Sequence, residues 1–248
     1  MTVDELAHRR ALVTGAGQGL GRAIAATLAA AGAEVLVNDL VAERAGRVAT
    51  EIAAAGGRAA PLVFDVTDAT AVRDAVAAAG PFDVLVNNAG NTGRATSFDA
   101  RDFAPFTETR PADWEPFLRV NLHGVMHAVH AVLPAMVERG YGRVVTVISD
   151  AGRVGEPAMA AYSAAKAGAA GFSRAIAREV GRHGVTVNCV SLGTLSAEAG
   201  GQALSRYVVR RPGEPEEVAA LVAFLCGPHA GWITGQTYPV NGGYSFAL

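Results

Sequence analysis

The chain has 248 residues, 50% of them hydrophobic and 18% charged, and a formal net charge of -2. That length suits one large domain or two small ones, and a single core is the simpler expectation. The balanced charge leaves no basic field to gather phosphates, which excludes nucleic acid and an anionic membrane as main partners and makes small molecules the expected ones.

The opening "MTVDELAHRR" has no apolar core of signal-peptide length, and the longest apolar runs are broken by Gly, Thr or charges before they reach bilayer-spanning length. The cytoplasm is therefore the expected location, with no membrane partner. Cys189 and Cys226 lie in the apolar runs "VNCVS" and "LVAFLCG", without metal-ligand spacing, and read as buried free thiols.

Along the chain, short β-branched runs alternate with longer alanine-rich amphipathic stretches. The expected strands are "ALVTG", "EVLVND", "APLVFDV", "FDVLVNN", "GRVVTVIS", "GVTVNCVS" and "TYPVN". This alternation predicts an α/β fold: a doubly wound parallel sheet of about seven strands with helices on both faces, forming one domain over 1–248. The least regular segments, at about 91–109 and 193–213, each follow a strand and are expected to cap a substrate site at the strands' carboxyl ends.

The first strand runs into "TGAGQGLG". No glycine here starts a G-x-G-x-x-G pattern, since the sixth residue from Gly15 is Leu20 and from Gly17 is Arg22. Gly15, Gly19 and Gly21, with Gln18 and Leu20 between them, instead form Gly-x-x-x-Gly-x-Gly between a strand and a helix. That suits a tight turn, a close backbone approach and a helix amino end facing a pyrophosphate. Asp39 ends the second strand twenty residues after Gly19, where an acid accepts hydrogen bonds from ribose hydroxyls and repels a 2′-phosphate. Position 18 is Gln and position 40 is Leu, so neither supplies the basic side chain a 2′-phosphate needs; NAD is the expected cofactor.

In "AAYSAAKAGAAG", Tyr162 and Lys166 are four residues apart and share one helix face. With the other motifs in order, the chain resembles the short-chain dehydrogenases and reductases through nearly its whole length. "TGAGQGLG" is similar to that family's cofactor loop, and "DVTD", with Asp65 and Val66, to its adenine contact. "NNAG", with Asn88, Ala89 and Gly90, is similar to its fourth-strand motif. Asn121 in "RVNLHG", Ser149 in "VISDAG", and Tyr162 with Lys166 match its catalytic set, with Ser149 thirteen residues before Tyr162.

The resemblance implies a Rossmann-type oxidoreductase that moves a hydride between NAD(H) and a secondary alcohol or ketone. Tyr162 is then the general acid/base, and Lys166 brings its pKa down from the free value near 10 and holds the nicotinamide ribose. Ser149 donates to the substrate oxygen, and Asn121 holds a water linking Lys166 to solvent. Ala164, Ala165, Ala167 and Gly168 are expected to let the same helix pack closely on its neighbours.

Gly193 and Thr194, after the sixth strand, are expected near the nicotinamide carboxamide, but the family's proline is Leu192 here and its threonine aligns with Ala197. Thr194 or Ser196 can supply the hydroxyl instead. The 91–109 segment looks long for the family and the 193–213 lid short. Phe98, Phe103 and Phe106 can cap a pocket, with Arg94, Arg101 or Arg110 near its mouth, or can belong to a solvated loop. His123, His127 and His130 share a helix without a carboxylate at ligand spacing, so they read as packing or surface residues and no metal is expected. Asp150 and Arg153 either touch substrate or pair with each other.

The competing expectation is a dinucleotide-binding sensor or scaffold that has kept the fold without catalysis. The stretches 114–138 and 159–180 carry apolar or small residues on more than one face, which predicts a homo-oligomer, a tetramer by the resemblance. A free alcohol, a cyclic dihydrodiol and a β-hydroxyacyl thioester all remain open as substrates.

Overall fold

A computed structural model of the chain describes residues 5–90, 104–195 and 205–246. The seven expected strands all form: β1 (Arg10–Val13), β2 (Glu34–Asp39), β3 (Arg58–Val63), β4 (Val84–Asn87), β5 (Gly142–Ser149), β6 (Val185–Leu192) and β7 (Thr237–Val240). Every pairing is parallel, in the order β3-β2-β1-β4-β5-β6-β7.

The helices are α1 (Gly19–Ala30), α2 (Ala42–Ala54), α3 (Ala69–Ala79), α4 (Pro111–Leu118), α5 (Gly124–Arg139), α6 (Ala151–Val154), α7 (Ala160–Val180) and α8 (Pro215–Cys226). Local chemistry sets several of their ends. Asp68 caps α3 by accepting from the Thr70 and Ala71 amides. Pro111 and Pro215 start α4 and α8, where a missing N–H costs nothing.

Side-chain alternation along the buried strands makes two cores, one on each face. Ala11, Val13, Val35, Val37, Val84 and Val86 pack with α1, α2 and α8. Leu12, Leu36, Leu85, Val144 and Ile148 point the other way, toward α3, α5 and α7. The continuous helical stretch Pro111–Arg139 is long and apolar enough to cross a membrane by length and composition alone. In the fold it lies on the sheet, with Val125, Ala128, Val129, Val132 and Met136 in the second core.

β3 departs from expectation, ending at Val63 rather than Val66. Its partner β2 offers six residues, Glu34 to Asp39, and pairing stops where they do, at Asp39 opposite Val63. β3 is an edge strand, which is also why Pro61 is tolerated inside it.

The strand order reverses between β1 and β4, both of which pair with their neighbours from opposite halves of the sheet. A crevice beyond the carboxyl ends of these strands is where such sheets bind ligands. The ends of β1, β2, β4, β5 and β6 carry Gly15, Asp39, Asn88, Ser149 and Gly193.

Candidate active site

The glycine loop is held by the β4 motif. Thr14 Oγ1 accepts the amides of Asn88 (3.0 Å) and Ala89 (3.1 Å), while Asn88 Nδ2 donates to the carbonyls of Thr14 and Gly15, each at 3.0 Å. Gly15 has φ +61°, and a Cβ there would sit 2.7 Å from Ala89 Cα. A Cβ on Gly21 would collide with the Gly15 carbonyl oxygen and stand 2.5 Å from Asn88 Nδ2. By contrast, the space around Gly19 is open, with nothing within 4 Å of a Cβ. Gln18 makes no side-chain cap and the first turn of α1 carries no acid, so the helix's amino end keeps N–H groups for an anion. A tight backbone turn beneath an open, uncapped helix start fits the pyrophosphate of a dinucleotide.

Asp39 is buried at the end of β2, where Oδ2 accepts the Gly17 amide (3.1 Å) and Oδ1 the Val41 amide (2.9 Å). Asn38, beside it, accepts the Gly15 amide at 3.3 Å and ties β3 to the loop through the Leu62 and Phe64 carbonyls. The expectation that no basic side chain stands nearby needs correction. Arg47, from α2, donates to the Gly17 carbonyl at 3.1 Å, and Arg44 Cβ would lie 2.6 Å from a Cβ on Gly17. Reading positions 18 and 40 missed them because both lie within α2, whose placement against the glycine loop is set by the fold.

Asp65 Oδ1 accepts the Thr67 amide at 2.8 Å, forming the turn that follows β3. Val66 is buried against α5; its carbonyl meets His127 Nδ1 at 3.0 Å, which gives that histidine a packing role.

Ser149 ends β5, and Tyr162 and Lys166 project from one face of α7, both buried. Ser149 hydrogen-bonds the Tyr162 hydroxyl, and Ser149 Oγ accepts the Ala151 amide at 3.2 Å. Lys166 Nζ donates to the Val147 carbonyl at 3.0 Å and lies 5.8 Å from the centre of the Tyr162 ring. Asn121 is fully buried in a π-helical turn, Arg119–His123, between α4 and α5, and donates to the Phe117 carbonyl at 3.0 Å. A Cβ on Gly90 would be 3.4 Å from Asn121 Oδ1 and 3.7 Å from Lys166 Nζ, so the end of β4 meets the catalytic set.

The electrostatics correct one expectation. Burial pushes the Tyr162 pKa up to about 12, against the smaller lowering effect of the Ser149 hydrogen bond. Lys166 does not bring it down: the ammonium points to the Val147 carbonyl, and burial lowers its own pKa to about 8. Four-residue spacing puts the two side chains on one face, but both face the interior, where desolvation is the largest effect on each.

The packing of α7 also differs from expectation. Ala165 is buried, Gly168 approaches Leu122, and Ala164 and Ala167 are exposed. The close approach comes from Gly152, whose Cβ would sit 2.7 Å from Lys166 Cβ.

At the end of β6, Thr194 already has a partner. Tyr207 Oη stands 3.0 Å from the Thr194 amide and 2.8 Å from its Oγ1, and a Cβ on Gly193 would be 3.0 Å from Tyr207 Cε1. Ser196 and Ala197 lie outside the described residues, as do Arg94, Phe98, Arg101 and Phe103 and most of the 91–109 segment. Phe106 stacks on Trp114 with ring centres 5.0 Å apart, and Arg110 pairs with Asp113 at 3.1 Å. Among the described residues, Phe117 of α4 meets the Tyr162 ring edge-on at 6.3 Å. Asp150 and Arg153 form an ion pair of 3.1 Å.

Sequence reasoning missed Thr14, Asn38, Arg47, Phe117 and Tyr207. Of these, Phe117 carried a readable signal, one helical turn before Asn121 on the same face.

Residues 9–206 match the short chain dehydrogenase family. The chain is 37% identical over 245 residues to the 3-oxoacyl-(acyl-carrier-protein) reductase FabG of Escherichia coli K12, covering 94% of this chain and 96% of that protein. A 3-oxoacyl-(acyl-carrier-protein) reductase from Brucella melitensis with bound NAD superposes with a TM-score of 0.92 at 32% identity, covering 99% of this chain and 94% of that one. A gluconate 5-dehydrogenase from Burkholderia cenocepacia, in complex with NADP and tartrate, superposes with a TM-score of 0.89 at 31% identity, covering 98% and 97%. The glycine loop braced by Asn88, the parallel sheet and these matches agree: the chain belongs to the short-chain dehydrogenase/reductase family of nicotinamide-dinucleotide oxidoreductases.

Proposed function

We propose that the protein interconverts a secondary alcohol and a ketone with NAD(H), using Tyr162 as the general acid/base. The observation that carries this reading is the Ser149 hydroxyl on the Tyr162 hydroxyl, both beside the crevice where the sheet order reverses. A bound nicotinamide supplies or accepts the hydride, and its oxidised ring adds a positive charge to the site.

The chain's own residues handle the proton. With its pKa at about 12, the Tyr162 hydroxyl is fully protonated at neutral pH, so it has the proton that a ketone oxygen gains in reduction. In oxidation the phenolic proton must first leave through Lys166 and water, after which the same oxygen takes the proton of the substrate hydroxyl. Ser149 Oγ accepts from Ala151, which orients the serine O–H to donate to the substrate oxygen as charge develops there. Lys166 uses one N–H on Val147 and has two left for the ribose side of the site. Asn121, close to Gly90, would hold the water that links Lys166 to solvent. Gly15, Gln18, Gly19, Leu20 and Gly21 would hold the pyrophosphate, Asp65 and Val66 the adenine side, Asn88 to Gly90 the middle of the cofactor, and Gly193 and Thr194 the nicotinamide end.

NAD is the preferred cofactor in this reading, because the buried Asp39 carboxylate would face a 2′-phosphate. The chain works as one unit in the cytoplasm, as a homotetramer acting on a small molecule. The test is NADH and NADPH consumption with acetoacetyl-CoA, cyclohexanone and 5-keto-gluconate, in wild type and Asp39→Ala. Wild type should favour NADH, and the variant should narrow the gap. A wild type that uses NADPH better removes the cofactor assignment, and one that reduces no ketone, while binding NADH, favours the sensor.

A further inference from the structure

Asp150 follows Ser149 directly and is 3% exposed, yet it plays no part in the chemistry described above. Its carboxylate collects four donors. Oδ1 accepts from Ser191 Oγ (2.6 Å) on β6 and from Arg153 Nη1 (3.1 Å) on α6. Oδ2 accepts from Asn241 Nδ2 (2.5 Å) and Ser245 Oγ (3.1 Å), both beyond β7 and more than ninety residues away in sequence. The Asp150 amide donates to the Leu192 carbonyl at 3.0 Å.

The segment around 241–246 is laced to the same point a second time. Arg153 Nη1 donates to Ser245 Oγ (2.8 Å), its Nη2 to the Phe246 carbonyl (3.0 Å), and Asn241 Nδ2 to the Ser245 carbonyl (2.8 Å). A buried carboxylate is tolerable only when its lone pairs are taken, and here all of the partners come from elements that converge on the end of β5. The peptide they hold is the one that places Ser149, since the Ala151 amide on its far side donates to Ser149 Oγ.

We propose that the carboxyl-terminal segment 241–246 is a strap on the active site, and that Asp150 is the positioning residue through which it fixes Ser149 against Tyr162. The strap joins β5, β6 and the chain end into one rigid mount, so the serine hydroxyl is held by residues that never meet substrate. This rests on Ser149 acting at the reacting oxygen.

The test uses the full chain with Asp150→Asn, Ser245→Ala and Ser149→Ala. Asparagine keeps the shape of Asp150 but turns an N–H toward donors, whereas Ser245→Ala removes one of the four donors to Asp150 together with the hydroxyl that accepts from Arg153 and Asn241. NADH fluorescence counts the binding sites, so turnover with the fastest of the three ketones named above is expressed per site. Asp150→Asn should lose about tenfold or more in kcat, the scale set by small misplacements, with NADH affinity and ketone KM within about twofold. Ser245→Ala should lose about twofold to fivefold, since three of the four donors to Asp150 remain. Amide exchange over 149–153 should quicken in both, a readout independent of activity.

Wild-type turnover per site in both variants, with Ser149→Ala inactive, overturns the strap alone. A higher ketone KM with unchanged kcat overturns it too, because Asp150 would then be touching substrate. Ser149→Ala with wild-type turnover removes the catalytic reading beneath it. If Asp150→Asn does not fold, Ser245→Ala decides the matter by the same measurements.

Discussion

Tyr162 and Lys166 show how far a residue's behaviour depends on what surrounds it. Tyr162→Phe removes the hydroxyl and keeps the ring against Phe117. Turnover should fall at least about a hundredfold while NADH titration and thermal unfolding stay near wild type. Near-normal turnover would make the pair structural. Lys166 is a charge buried at a cost: its pKa is lowered to about 8 from 10.5. Between those two values the unfolded chain binds more protons than the folded one, so this group's contribution to stability rises with pH there, and its penalty is complete below 8. Lys166→Met should therefore raise the Tm of the cofactor-free protein at neutral pH, with the gain shrinking as the pH rises toward 10.5. Thermal scans at a series of pH values check this; a gain that stays constant with pH would refute it. Tyr162 has the opposite sign, its stabilising protonated form being lost as pH rises from 10.0 toward about 12.

At the level of elements, the site exists because loops and strand ends are braced by backbone contacts. The Thr14 and Asn88 bonds join the β1 and β4 ends, the π-helical turn buries Asn121, and Tyr207 pins the loop after β6. Tyr207 is buried, packs against Tyr244 with ring centres 5.1 Å apart, and takes both the amide and the hydroxyl of Thr194. Tyr207→Phe leaves that packing and removes both bonds. NADH affinity should weaken about threefold to tenfold, one to two hydrogen bonds' worth, with kcat largely kept. Fluorescence titration reads the first and steady-state kinetics the second. Unchanged affinity would place the nicotinamide end elsewhere.

For the whole molecule, the exposed apolar residues carry the next expectation. Trp232 is 99% exposed in the single chain, Phe246 73% and Val208 69%, with Val154, Val209 and Met126 also outside. Ala164 and Ala167 leave a small-residue face on α7 uncovered. Surfaces of this kind are covered in assemblies. Sedimentation velocity at micromolar concentration should show a tetramer, and a monomer would remove the proposal.

The fold was legible in the sequence because the information is local and periodic. Each strand's β-branched run and each helix's buried face appear within a dozen residues, and Gly15, Gly21, Asn88, Ser149 and Tyr162 stand in motifs whose spacing survives in the fold. β3 was placed too late because its length is limited by β2, which its own residues do not reveal. Arg47 on the Gly17 carbonyl and Tyr207 on Thr194 were hidden for the same reason: each joins separate elements. The sequence by itself determined the doubly wound sheet and the identity of the candidate catalytic residues. Only the tertiary structure decided that Tyr162 is pushed up rather than down, and that Asp150 takes its donors from β6, α6 and the chain's end. Desolvation and long-range hydrogen bonds depend on which surfaces meet, and spacing along a chain carries no record of that.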